Sequence, residues 1–91
     1  MCEELKKGDI LYVVSSHSLD ILEVEKIAYT LDRKDRFMYV KCVSRITSKR
    51  YIYFLPENVK NIRFVEHGLD IITCDESIAV ALHANNVKMD E

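Results

Sequence analysis

Apolar residues fall into short runs divided by polar breaks, a spacing that suits strands better than helices. Asp9-Ile10-Leu11-Tyr12-Val13-Val14 follows the turn-forming Lys6-Lys7-Gly8, and it is short, β-branched and apolar on both parities, as a buried strand is. From Leu19 to Leu31 the apolar positions change phase: Leu22 and Val24 share one parity, whereas Ile27, Tyr29 and Leu31 share the other. Such a change predicts a β-bulge near Glu25-Lys26, which bends a long strand around a small barrel. Asp32-Arg33-Lys34-Asp35 reads as a turn. Arg36 to Ile46 alternates, with Met38, Val40, Cys42 and Ile46 on one face and Phe37, Tyr39, Lys41, Val43 and Arg45 on the other. Thr47-Ser48-Lys49 reverses the chain into an aromatic-rich strand, Arg50 to Leu55, ended by Pro56. Asn61 to Val65 and Leu69 to Ile72 read as two further strands, joined through Glu66-His67-Gly68.

The last element differs in period. Thr73-Cys74-Asp75-Glu76 has the spacing of a capping box and predicts a helix over about 74–85, stopped by Asn85-Asn86 and followed by a frayed tail. Its stripe of Ile78, Ala81, Leu82 and Asn85 predicts that Ile78 and Leu82 face the domain while Glu76, Ala79 and His83 face water.

Two segments carry a family likeness. Leu5-Lys6-Lys7-Gly8-Asp9-Ile10-Leu11 resembles the L-x-F-x-x-G-D-x-I opening of Src-homology-three domains, and Pro56-Glu57-Asn58-Val59 is similar to the family's P-x-N-Y-V, a short 3₁₀ turn before the last barrel strand. The resemblance implies a small bent antiparallel SH3-like barrel; with the helix read above, the expected fold is mainly β, a barrel over about 5–73 with one C-terminal α-helix in a single domain of 1–91. It does not extend to the proline-peptide ligand: the A-L-Y-D-Y segment is missing, no tryptophan occurs, and Asn58 runs directly into Val59. In addition, Gly8-Asp9-Ile10-Leu11-Tyr12-Val13-Val14 and Ile71-Ile72-Thr73-Cys74-Asp75-Glu76-Ser77-Ile78-Ala79-Val80-Ala81-Leu82 resemble the ends of short phage and prophage proteins. That likeness implies a mobile-element accessory protein.

Composition narrows the function. Ninety-one residues, 48% apolar and 31% charged, are expected to make one small domain and no multi-domain enzyme. No apolar run approaches the roughly 18–20 residues of a spanning helix, and Met1-Cys2-Glu3-Glu4-Leu5-Lys6 lacks the layout of a secretory signal, so a soluble, cytoplasmic protein is expected. Cys2, Cys42 and Cys74, like His17, His67 and His83, are too scattered for a disulfide framework or a zinc site, and no metal or cofactor is expected. Cys42 reads as a small hydrophobe; Cys74 lies where a helix start can lower a thiol pKa, though without a base beside it it too reads as structural. Phosphate-loop, dinucleotide and nucleophile-elbow motifs are absent, and Glu23 and Glu25 read as a solvated strand face, so no enzymatic activity is expected.

Charge is segregated along the chain. Residues 1–25 carry two basic and six acidic groups, residues 26–63 ten and three, and residues 64–91 one and six, giving balances of −4, +7 and −5. In the basic stretch Arg36, Lys41, Arg45, Lys49 and Arg50 interleave with Phe37, Tyr39, Tyr51 and Tyr53, a mixture of cations and rings that single-stranded nucleic-acid grooves use. The face these rings occupy depends on the hairpin after Ile46. An odd loop puts Ile52 and Phe54 in the core with Met38, Val40 and Cys42; a two-residue loop mixes the parities. The first register gives a uniformly apolar core face and makes Tyr39, Lys41, Arg45, Lys49, Tyr51 and Tyr53 the candidate binding residues; the competing view places Tyr51 and Tyr53 in the core. An acidic pI of about 5.9 argues against general DNA binding, so the expected partner is a protein, for a phage-like chain a host defence factor to be inhibited. A nucleotide or single-stranded nucleic acid is the alternative, and the oligomeric state is left open.

Overall fold

A computed structural model describes residues 4–16, 18–29 and 37–89, the last four as backbone only, and shows six antiparallel strands curled into a half-barrel. The strands are β1 (Ile10–Val14), β2 (Leu19–Tyr29), β3 (Phe37–Ser44), β4 (Arg50–Pro56), β5 (Val65–His67) and β6 (Asp70–Thr73), followed by helix α1 (Glu76–Met89). Their order in the sheet is β4-β3-β2-β1-β6-β5, so β4 and β5 are its edges. The turn expected at Asp32–Asp35, like Cys2 and His17, lies outside the described residues. No helix among the described residues is long and apolar enough to cross a membrane.

The bulge falls where the phase change placed it. Val24 pairs with Cys42 and Lys26 with Lys41, so Glu25 is the extra residue, and the parity of β2 inverts there. Leu22 and Val24 before it share the concave face with Leu11, Val13, Met38, Val40, Cys42, Leu55 and Ile72, all buried. Each fully buried aliphatic side chain of this set contributes roughly 1.5–3 kcal/mol. Leu5 and Val59 close the core from the chain's first turn and from a 3₁₀ turn at Val59–Asn61. The two segments are tied by an ion pair of 3.2 Å between Lys60 and Asp9, whose carboxylate also accepts the Lys6 amide at 2.9 Å. Gly8, at φ +94, makes the turn that brings Asp9 there.

The helix begins differently from the capping box. Asp75 is its cap, accepting the amides of Ser77 at 2.8 Å and Ile78 at 3.4 Å. Thr73 is the last, buried residue of β6; its hydroxyl donates to the Arg63 carbonyl at 2.7 Å and accepts the Asp75 amide at 3.1 Å. Thr73→Ala therefore removes both of these part-buried bonds and is expected to cost about 1–3 kcal/mol by urea unfolding. Asp75→Ala, which removes the cap, is expected to cost about 0.5–2 kcal/mol.

Other expectations are corrected. The segment Asn61–Phe64 is not strand, because the 3₁₀ turn occupies its start, and the β5–β6 hairpin turns at Gly68-Leu69, with Gly68 at φ +63. Helix α1 extends to Met89, beyond Asn85, and Ala79 is wholly buried instead of facing water. The helix lies on the convex side of β1, where Val14 is buried and the Tyr12 hydroxyl donates to Glu76. It packs on β1, β6 and part of β2, and among the described residues it leaves the convex side chains of β3 and β4 uncovered.

Candidate interaction surface

The surface follows from one hairpin. Ser44 is buried, and its hydroxyl donates to Asp20 at 2.7 Å while accepting the amides of Ile46 at 3.1 Å and Thr47 at 3.0 Å. This side-chain turn, with the Ser48 amide bonding the Ser44 carbonyl at 3.0 Å and Ser48 at φ 65, gives a four-residue loop, Arg45 to Ser48. The Ser44 amide bonds the Lys49 carbonyl at 2.8 Å, and onward Cys42 pairs with Tyr51, Val40 with Tyr53 and Met38 with Leu55. An even loop carries Tyr51, Tyr53 and Leu55 to the concave side and Ile52 and Phe54 to the convex side.

The expected six-residue site is therefore split. Tyr39 and Lys41 stand exposed on the convex face; Arg45 and Lys49 are exposed at the hairpin end. Tyr53 is buried and Tyr51 half-buried on the concave side, their rings 6.1 Å apart, and Tyr53 meets the His67 ring edge-on at 5.2 Å. That contact joins the two sheet edges through side chains, without backbone pairing between β4 and β5. Ile46, expected in the core, sits exposed in the loop. Burial, with weaker contributions from the Cys42, Asp70, Tyr51 and Asp20 groups, pushes the Tyr53 phenol up to about 12.

Two residues absent from the expected site take the places of the tyrosines. Ile52 is 66% exposed, Tyr39 50% and Phe54 43%, large values for apolar side chains in mid-strand. Phe54 stacks on Phe37 and tilts against Tyr39, each at 4.9 Å between ring centres. Read across the sheet, the rows are Ala28–Tyr39–Phe54, Lys26–Lys41–Ile52 and Glu23–Val43–Arg50. Glu23 and Glu25, read as a solvated face, hold Arg45 at 3.7 Å and Arg50 at 3.2 Å. Lys26 and Lys41 oppose one another directly, and among the described residues neither has an ion-pair partner. Like charges opposed on a sheet destabilise it, and the sheet tolerates them at no evident structural gain.

The rest of the molecule holds less. A cleft of about 520 Å³ between the 3₁₀ turn and the start of α1 is lined by Lys60, Arg63, Cys74, Asp75 and Glu76, with charges of both signs and the helix amides already taken by Asp75. Burial raises the Cys74 thiol to about 11, against a lowering by Lys60, so the helix start does not activate it; Cys42 is likewise raised to about 11, by burial and then by Glu25. Among the described residues no three His, Cys, Asp or Glu side chains converge as a metal site. No protein-family model, curated protein or solved structure matches the chain, so its own geometry must carry the functional reading.

Proposed function

We propose that the chain is a non-enzymatic protein-interaction module that docks a partner on the convex face of β2, β3 and β4. The observation that supports this is the contiguous exposure of Tyr39, Ile52 and Phe54, beside Phe37, on the half of the sheet that the helix leaves uncovered. Exposed rings of this kind, rimmed by charge, mark interaction sites. The flanking Lys26, Lys41, Arg45 and Arg50 favour an acidic partner surface and would speed encounter with it. In a mobile element such a module would bind and block a host defence factor, a use suggested by the phage-like ends of the sequence.

The test is capture from a lysate of the producing cell, followed by affinity measurement with the captured protein. Phe54→Ala and Tyr39→Ala are each expected to weaken binding by more than about 1 kcal/mol, with melting temperatures close to that of the unsubstituted chain. Equal capture by both variants removes the convex face as the site. With Tyr51 and Tyr53 turned inward, the stacking platform of a nucleic-acid groove is reduced to Tyr39, Phe37 and Phe54. Anisotropy of a labelled single-stranded oligonucleotide at about 50 mM salt, where even non-specific phosphate binding shows, is expected not to change. A steeply salt-dependent rise abolished by Lys41→Glu would replace the protein reading with the nucleic-acid one.

A further inference from the structure

The edge position of β4 says how such a partner is held. The bond from the Ser44 amide to the Lys49 carbonyl sets the phase of the β3–β4 ladder: Lys49, Tyr51, Tyr53 and Leu55 exchange backbone bonds with β3. The amides and carbonyls of Arg50, Ile52 and Phe54 consequently point away from β3, toward a side on which the sheet has no further strand among the described residues. Proteins blunt such edges with short strands, charges, prolines or bulges. The opposite edge obeys this rule, since β5 has three residues. Strand β4 has seven, with its only proline at the far end, and its convex side chains at the open positions include Ile52 and Phe54.

Resting on the interaction-module reading, we infer that β4 takes up an extended acidic segment of the partner as an added strand, whose carboxylates are held by Lys41 and Arg50 on the convex face. Backbone bonds to Arg50, Ile52 and Phe54 supply the pairing, as in other strand additions, and the side chains at alternate positions supply the choice of sequence. An apolar residue opposite Phe54 extends the cluster of Phe37, Tyr39 and Phe54. A carboxylate opposite Ile52 lies two strand spacings, about 9–10 Å, from Lys41, within the combined reach of a lysine and a glutamate. One opposite Arg50 joins a guanidinium that already pairs with Glu25.

Charge decides against a second copy as the occupant. Two chains joined edge to edge about a two-fold axis at Ile52 would place a second Lys26–Lys41 pair on one continuous face, doubling a charge that has no counter-ion among the described residues. An acidic strand cancels it.

The probe is the blocked peptide TVTETET, whose valine and two glutamates fall opposite Phe54, Ile52 and Arg50 in antiparallel pairing, with TVTKTKT as its control. At about 1 mM peptide, a concentration suited to a weak complex, amide exchange at Ile52 and Phe54 is expected to slow at least about tenfold, and not with the lysine peptide. Ile52→Pro removes only a donor that β3 does not use, so the variant is expected to melt near the unsubstituted chain and to lose protection at Phe54. Lys41→Glu, which leaves the backbone intact, is expected to abolish the effect as well and serves if the proline variant does not fold. Unchanged exchange, equal binding of TVTKTKT or full binding by Ile52→Pro overturns the inference, as does slow exchange without peptide in a species of twice the monomer mass. Shifts of the Tyr39 and Phe54 rings without edge protection would leave convex-face docking standing and remove strand addition alone.

Discussion

Tyr53→Ala is expected to lower the unfolding free energy by about 3–5 kcal/mol, the range for deleting a large core ring. Tyr53 is 9% exposed, packs with Val40 and Cys42 on the concave side, and touches Tyr51 and His67. It also joins the two sheet edges, so its removal loosens the half-barrel where no ladder closes it. A domain of this size has about 5–15 kcal/mol in all, so the variant should sit near the limit of folding. Tyr39→Ala, at a half-exposed ring opposite Phe54, should cost less than about 1 kcal/mol. Urea unfolding of the two proteins separates the registers. A loss at Tyr53 as small as that at Tyr39 would mean that the β3–β4 loop is odd and both rings lie outside.

That register is the point at which pattern reading failed, and the reason is local. On β3 the alternation is decisive, because Lys41 and Tyr39 interrupt Met38, Val40 and Cys42, and the structure buries those three. On β4 the run Tyr51-Ile52-Tyr53-Phe54-Leu55 is apolar or aromatic at every position, so it carries no phase of its own. Phase then depends on loop length, and loop length depends on Ser44, whose hydroxyl accepts two loop amides and donates a hydrogen bond to Asp20. A serine at the end of a strand is a visible signal, since such hydroxyls compete for backbone groups. Its partner Asp20, 24 positions earlier in the chain, is not visible in any local pattern. The bulge in β2 was legible for the opposite reason: Glu23 separates Leu22 from Val24, and the two polar residues Glu25-Lys26 before Ile27 and Tyr29 break the alternation, so the inversion shows. At the helix start the T-x-x-E spacing was present, but Thr73 was already committed to the Arg63 carbonyl, which left Asp75 to cap. The convex site inherited the register error: Tyr39 and Lys41 remain in it, and Ile52 and Phe54 stand where Tyr51 and Tyr53 were expected.

The same inward placement makes the fold sensitive to alkali. The Cys42 thiol, wholly buried, is raised to about 11, the Cys74 thiol to about 11 and the Tyr53 phenol to about 12, in each case chiefly by burial. In the unfolded chain thiols titrate near 8.5 and phenols near 10. Each group thus gives up its proton at lower pH when unfolded than when folded, and its neutral form favours the fold below the unfolded value. That contribution is lost as pH rises, from about 8.5 through 11 for the thiols and from about 10 through 12 for the phenol. For Cys42 alone, a rise from 9.0 to about 11 corresponds to about 2–3 kcal/mol. Urea midpoints are therefore expected to be flat from pH 7 to about 8 and to fall steeply by pH 11. Cys42→Ala is expected to be less stable at pH 7, through the cavity it leaves, yet to lose less on going to pH 11, so that the two curves converge. A wild-type midpoint unchanged to pH 11, or parallel curves for the two proteins, would show that the thiol is not closed off from water. The β3–β4 hairpin would then have to present its concave positions differently.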